Sequence, residues 1–268
     1  MKFSVLLSLY KNSDIYELEE CLKSIENNTL KPDETILVFD GSVNTSADYL
    51  IQKFKTINLK VIKLKYNKGL GIALKEGLSH CSNEFVFRMD TDDICYPHRF
   101  EKQLKYMNDN PTVDILGSNV TIIDKNGLKV NTTKKVPLKH SDIIKIIHFK
   151  NPINHPTVLY RKSKIELAGS YEDQPFYEDW LLWIKALKTT SIKFLNIEEP
   201  LVYYRIRSIG DRRGSKILKY EKLFFDKLYQ RNYISMKSYY LNIILRFIAR
   251  NSSKKIYRII KLFFDKIK

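Results

Sequence analysis

With 268 residues, 44% of them hydrophobic and 28% charged, the chain is long enough for one large or two small domains and has the composition of a folded, soluble protein. Nine Gly and eight Pro exclude collagen-like and Gly/Pro-rich disordered architectures. The formal net charge of +16 is concentrated at one end: residues 201–268 hold 18 Lys and Arg against 4 Asp and Glu, while residues 1–200 hold 28 against 26.

Strand and helix signals alternate through the first 120 residues. Short apolar runs at Phe3–Leu9, Thr35–Phe39, Val61–Leu64, Phe85–Met89 and Ile115–Ile123 have the length and β-branched or aromatic content of strands. Between them, Ile15–Ile25 places Leu18, Leu22 and Ile25 at helical spacing behind an Asp14/Glu17 capping-box pattern. Ile72–Leu78 and Arg99–Met107 read as helices too. The alternation predicts an α/β fold with βαβ units and a mostly parallel sheet. Residues 110–207 are less regular, with loops near Pro137 and Asn151-Pro152, followed by a helix over Glu178–Leu187 that aligns Trp180, Trp183 and Leu187.

The tail from Lys216 is helical in pattern. Ile256, Ile259, Ile260, Phe263 and Ile267 recur at helical spacing among Lys255, Arg258, Lys261 and Lys266, which fits a helix lying in a lipid interface; a core-packing helix with a solvated basic face fits as well. A nearly neutral body with a basic tail points to an anionic partner, nucleic acid or membrane surface. No run reaches the roughly 18 apolar residues of a membrane span, and the N-terminus lacks the pattern of a signal peptide. Cys21, Cys81 and Cys95 form no CxxC and cannot all pair, so zinc ribbons and disulfide scaffolds are disfavoured and a reducing, intracellular compartment is expected.

The chemistry concentrates at strand ends. Phe85-Val86-Phe87-Arg88-Met89 runs abruptly into Asp90-Thr91-Asp92-Asp93, and ligands of open α/β sheets bind beyond the carboxyl ends of strands. Clustered carboxylates there suit Mg²⁺ or Mn²⁺ against phosphate oxygens; the bland reading is a turn in which Asp93 caps the next helix. An EF-hand fails because loop position six is Cys95 and not Gly. Asp40-Gly41-Ser42 ends another strand and offers either a nucleoside contact or a plain turn. Asn67-Lys68-Gly69-Leu70-Gly71 precedes a helix but lacks the third glycine of a dinucleotide fingerprint, where Leu74 stands; its glycines could still admit a phosphate at the helix N-terminus. Tyr177-Glu178-Asp179-Trp180 opens a helix, where carboxylates favour the macrodipole or supply a general base. His155, in Asn154-His155-Pro156-Thr157, reads as a ligand, a hydrogen-bond donor or a loop histidine.

The order of these segments is more specific than any one of them. Ser4–Lys11, Lys31-Pro32-Asp33-Glu34, Asp40-Gly41-Ser42, Asn67-Lys68-Gly69, Met89–Asp93, Arg99-Phe100, Asn154–Thr157 and Glu178-Asp179-Trp180 together resemble a family 2 glycosyltransferase of the GT-A fold, in the bacterial O-antigen, capsule and exopolysaccharide branch. The resemblance covers roughly residues 1–207. Glu26-Asn27-Asn28-Thr29 stands where relatives often have Asn-Gln-Thr, and nothing beyond Gly210 transfers.

The resemblance implies an inverting, metal-dependent enzyme that moves a hexosyl or N-acetylhexosaminyl unit from a nucleotide diphosphate sugar, UDP-linked, to a polyprenyl-diphosphate-linked saccharide at the cytoplasmic membrane face. Residues 1–110 would form the nucleotide-sugar half and 111–210 the acceptor and catalytic-base half of the same domain; residues 211–268 are expected, on charge and periodicity alone, to be a membrane-associating tail. Asp179 would be the base. Tyr10, Asp40, Asn67, Gly69, Arg88, Asp90, Asp92 and Arg205 would bind the donor nucleotide, with Arg205 and Arg207 near the diphosphate. Asp90 and Asp92 would hold Mn²⁺ or Mg²⁺, and Asp93, His155, Glu178 and Trp180 are candidates for acceptor or metal contact. A nucleic-acid-binding role for the tail would leave these carboxylates unexplained; a sugar nucleotidyltransferase would want a Gly-rich loop where Leu9-Tyr10-Lys11-Asn12 stands; a non-catalytic binding protein is the remaining rival.

Overall fold

The computed structural model describes residues 1–206 and 215–251; Arg207 and the stripe from Ile256 to Ile267 lie outside them. The expected strands are found as β1 (Phe3–Tyr10), β2 (Glu34–Asp40), β3 (Leu59–Lys63), β4 (Phe85–Arg88) and β6 (Ile115–Ile123), with β3 starting two residues earlier than its apolar run. Four strands were not foreseen: β5 (Ile94–Cys95), β7 (Lys129–Lys134), β8 (Leu159–Arg161) and β9 (Phe194–Arg205). Together they form one sheet in the order β3-β2-β1-β4-β8-β6-β9-β5, with β7 paired to β6. The sheet therefore runs without a break across position 110.

β3, β2, β1 and β4 are mutually parallel, and the chain crosses from one side of β1 to the other on passing from β3 to β4. That reversal is a topological switch point, the place where open α/β sheets bind ligands. β1 and β2 are buried along nearly their whole length because both sheet faces are covered. Leu6, Ile36 and Val38 pack on one face with helix α3 (Leu70–His80). Val5, Leu7, Leu37 and Phe39 pack on the other with α1 (Ile15–Glu26) and α4 (Arg99–Asp109). A short α2 (Ser46–Ile51) lies between β2 and β3.

The second half is mixed. β8 is antiparallel to β4 and β6, β9 is parallel to β6, and β5 is antiparallel to β9. Because β5 directly follows the carboxylate run, its pairing of Ile94 with Tyr203 fastens that run to the end of β9. Helices α5 (His140–Ile146) and α6 (Lys162–Leu167) and a 3₁₀ turn at His155–Thr157 lead to α7 (Glu178–Thr189). The tail folds as α8 (Ser215–Gln230) and α9 (Met236–Asn251). α8 packs into the core through Phe224, Phe225 and Leu228.

Candidate active site

A cleft of about 430 Å³ opens at the carboxyl ends of β1, β2 and β4, lined by Ser8, Tyr10, Asp40, Asn67, Gly69, Asp90, Thr91, Asp92, Tyr204 and Arg205 among others. Seven of the expected donor residues are thus brought to one wall; Arg88 is the exception, buried beneath.

Asp40 is 3% exposed. One carboxylate oxygen accepts from the Lys68 N–H at 2.6 Å, the other from the Gly69 N–H at 2.9 Å and the Asn67 amide at 3.0 Å. Its first role is therefore to organise the 67–69 loop rather than to wait free for a nucleoside. Gly69 caps α3 at φ +85°, a conformation other residues adopt only with strain. At Gly71 the requirement is space: a Cβ there would stand 2.1 Å from the Glu172 carbonyl oxygen.

Asp90, Asp92 and Asp93 offer carboxylate oxygens within 4.8 Å of one another. Asp93 does not cap α4, which begins at Arg99 behind His98. Instead its Oδ1 accepts from the Arg205 N–H at 2.8 Å, and its buried Oδ2 has no partner among the described residues. Burial and the charges of Asp90 and Asp92 push the Asp93 carboxyl well above the ordinary range. Three crowded hard-oxygen donors, one with a buried orphan atom, fit a divalent cation, which would relieve that repulsion.

Arg205, expected near the diphosphate, lines the cleft and is at the same time engaged within the protein. Its side chain donates to the Asp92 carbonyl at 2.8 Å, the Lys125 carbonyl at 3.1 Å and Glu20 at 2.7 Å, and lies 3.7 Å from Glu17. The guanidinium's fork of donors is spent on holding the carboxylate loop in place. Arg88 is 1% exposed, ion-paired to Asp90, with Nε and Nη1 unbonded among the described residues. Behind it, Arg99 of α4 is fully buried and donates to the Arg88 carbonyl at 2.9 Å, while Gln103 reaches the Leu116 and Thr157 carbonyls. Arg99 thus ties α4 to the end of β4, and Gln103 ties it to β6 and the 3₁₀ turn.

A second cluster gathers His155, Glu178 and Asp179, again with ligand atoms within 4.8 Å and all three buried. Phe176 and Tyr177, both left-handed at φ +57° and +61°, turn the chain into α7; such consecutive non-Gly conformations are costly and concentrate at functional sites. Aromatic contacts hold them, Phe176 on Tyr220 and Tyr177 on Trp180 and Phe224. Burial and the Asp179 charge push the Glu178 carboxyl up to about 8. Burial also raises Asp179, opposed by the Asn151 amide that donates to its Oδ2 at 2.5 Å. His155 is held neutral, well below its ordinary value, by burial and the Arg88 charge. Its Nε2 lies 3.0 Å from the Tyr171 hydroxyl and its Nδ1 3.8 Å from Glu178. The Arg88 charge acts on Glu178, Asp179 and Asp90 alike, so this buried cation joins the two clusters electrostatically.

Trp180 does not belong to this group. It is 3% exposed, donates to the Ile147 carbonyl and packs on Phe224 and Phe225 of α8, a packing role in place of the expected acceptor contact. Asn151 and Tyr171 join the site through contacts that carry no signal in the sequence. Asn151 was legible only as part of a loop before Pro152; nothing in its neighbours announces Asp179, 28 positions away.

Residues 4–166 match the family described as Glycosyl transferase family 2, and the chain belongs to that family, as the ordered motifs had implied. An uncharacterized glycosyltransferase of Haemophilus influenzae is 40% identical over 93% of this chain and 94% of its own length. The amylovoran biosynthesis glycosyltransferase AmsE of Erwinia amylovora is 39% identical, with 82% of each chain covered. An Escherichia coli UDP-Gal:alpha-D-GlcNAc-diphosphoundecaprenol beta-1,3-galactosyltransferase is 38% identical over 93% of this chain and 91% of that one. Among solved structures, S. aureus TarS 1–349 in complex with UDP-GlcNAc superimposes with a TM-score of 0.65 at 21% identity, covering 85% of this chain and 66% of that one. The likeness bears on the fold, which is the mixed, helix-flanked α/β sheet of GT-A glycosyltransferases.

Proposed function

We propose that this glycosyltransferase moves a hexosyl or N-acetylhexosaminyl unit from a UDP-sugar to a hydroxyl of a saccharide carried on polyprenyl diphosphate, in bacterial surface-polysaccharide synthesis. The observation that carries this reading is the pairing of two carboxylate clusters, Asp90/Asp92/Asp93 and Glu178/Asp179 with His155, which share the charge of the buried Arg88. The Escherichia coli relative supports a lipid-linked acceptor and a UDP-linked donor by its description, and the Erwinia relative supports an exopolysaccharide product.

In this mechanism the nucleotide lies in the cleft beside Tyr10 and the Asp40-ordered loop at Asn67 and Gly69. Asp90 and Asp92, with Asp93 behind them, would hold Mg²⁺ or Mn²⁺, whose Lewis acidity offsets charge on the departing diphosphate. Arg88 keeps Asp90 oriented, and Arg205 keeps the loop closed. Asp179 takes the proton of the acceptor hydroxyl as that oxygen attacks the anomeric carbon from the face opposite UDP. The bond to UDP breaks, and an α-linked donor gives a β-linked product. Burial and the Asp179 charge favour the protonated form of Glu178, while the Asn151 amide favours the ionised form of Asp179, a difference of environment that suits one carboxyl to hydrogen bonding and the other to acting as base.

The test is incubation with Mn²⁺, UDP-galactose, UDP-N-acetylglucosamine or UDP-glucose, and a synthetic N-acetylglucosaminyl diphosphate lipid, with the anomeric proton of the product read by NMR. A β-linked disaccharide is expected. Transfer with retention, or from no UDP-sugar but from a GDP-sugar, would contradict the mechanism or the donor respectively.

A further inference from the structure

Helix α9 is built inside out. Met236, Tyr240, Leu241, Ile244, Phe247 and Ile248 are between 37% and 59% exposed, and at 3.6 residues per turn they span an arc of about 140° on the outward side. Asn242, Arg246 and Arg250 face inward. Asn242 is fully buried and donates to the His148 carbonyl at 3.0 Å. Arg246 donates to the Phe149 carbonyl at 2.8 Å and lies 4.4 Å from the Phe225 ring centroid. Arg250 is bonded to Glu221 of α8 at 2.6 Å. Polar groups thus anchor the helix, and its apolar stripe remains on the surface, the reverse of a helix of a water-facing protein. Ile244 and Phe247 also border an apolar groove of about 320 Å³ between α8 and α9.

We infer that this outward face of α9 is the surface by which the protein lies on an anionic phospholipid bilayer. Charge selects that occupant. Residues 215–251 carry eight Lys and Arg against Glu221 and Asp226, and both acids are engaged internally, Glu221 by Arg246 and Arg250, Asp226 by Lys222 and Tyr239. The same pairs use Lys222, Arg246 and Arg250, while Lys227 and Arg231 pair with Glu172, and residues 215–251 keep a formal excess of six positive charges. Lys237 stands exposed within the apolar arc, and residues 252–268 add six further Lys and Arg against Asp265 in sequence. An interfacial helix combines these features, apolar side chains entering the acyl boundary and cations among the headgroups. A second copy of the chain would bring like charges together across the same face.

The placement deepens the lipid-linked acceptor reading and rests on it only for its purpose. α9 grips the carbonyls of His148 and Phe149, and Asn151 in the same segment holds Asp179. A face docked on the bilayer is therefore a few residues of chain from the base that would receive a lipid-borne hydroxyl.

The experiment is sedimentation of the full chain with phosphatidylcholine vesicles, with and without phosphatidylglycerol, for the parent and for Ile244→Glu/Phe247→Glu. Both side chains are exposed, so the variant should fold, and retained stabilisation by UDP and Mn²⁺ verifies this. We expect binding to phosphatidylglycerol vesicles to fall at least ~10-fold, since two apolar side chains are replaced by carboxylates. Lys237→Glu should weaken it severalfold. Unchanged binding by the double variant overturns the inference, as does a parent dimer that the variant converts to monomer without loss of vesicle binding. Loss of vesicle binding with intact UDP stabilisation concerns the membrane face; absence of UDP stabilisation in the parent concerns the donor reading instead.

Discussion

The backbone N–H of Arg205 donates to Asp93 Oδ1 at 2.8 Å, joining the last residue of the longest strand to a carboxylate 112 positions earlier. The same arginine's side chain bonds the Asp92 carbonyl and Glu20. The acidic loop is therefore set by the end of β9 as much as by β4. Replacing Arg205 by Ala would remove the donor that reaches the Asp92 and Lys125 carbonyls and the Glu20 carboxylate. A loss of about 3 kcal/mol is expected, read as a lower urea midpoint at unchanged slope, with Lys recovering part of it. A variant as stable as the parent would show that these bonds contribute little.

Asp179→Asn should keep UDP-dependent stabilisation while turnover falls by about 10²–10⁴, the usual contribution of a general base. Asn151→Ala acts through Asp179 and should lower turnover about tenfold with little change in KM for the donor. Normal turnover of Asp179→Asn would assign the base elsewhere, Glu178 being the next group to replace.

Glu178 makes stability depend on pH with a definite sign. Its carboxyl is raised from 4.5 to about 8 by burial and the Asp179 charge, so between those values the folded chain binds a proton the unfolded chain has released. The stabilisation is complete below the lower value and is lost as pH rises through the upper one. Glu178→Gln should flatten the decline of unfolding free energy between about pH 5 and 8, by as much as ~1 kcal/mol per pH unit. Parallel curves for parent and variant would mean that Glu178 is ionised in the folded protein.

The two glycines before and in α3 should respond differently to Ala. Gly69→Ala meets nothing within 4 Å and suffers only its positive φ, for about 1 kcal/mol. Gly71→Ala drives a Cβ to 2.1 Å from the Glu172 carbonyl oxygen, which must move the segment leading to Glu178. Thermal melts should rank Gly71→Ala clearly below Gly69→Ala, and the reverse order would contradict the packing described.

The half of the fold nearest the nucleotide cleft was legible because parallel strands buried on both faces are continuous apolar runs, as in Ser4–Leu9 and Thr35–Phe39. β9 was hidden for a physical reason. Its middle is Glu198-Glu199-Pro200, and Pro200 pairs with Asn119 where the register with β6 shifts, so a strand period never forms in the sequence. The strand-end carboxylates announced themselves by the abrupt change from apolar to acidic. The partners that decide their behaviour did not, since Arg205 as a clamp, Asn151 on Asp179 and the buried Arg88 shared by the clusters depend on contacts across the sheet. Trp180 shared a helix face with core residues and proved to be one of them.

Thermal unfolding with UDP, with and without Mn²⁺, on the parent and on Asp92→Ala tests the central claim most directly. A ligand at 100 times its dissociation constant adds about 2.7 kcal/mol, several degrees for a chain of this size. Stabilisation by UDP that requires Mn²⁺ and disappears in Asp92→Ala is the predicted result. Equal stabilisation without the metal, or undiminished stabilisation in Asp92→Ala, would contradict the assignment of the Asp90–Asp93 cluster to a metal-bridged nucleotide diphosphate.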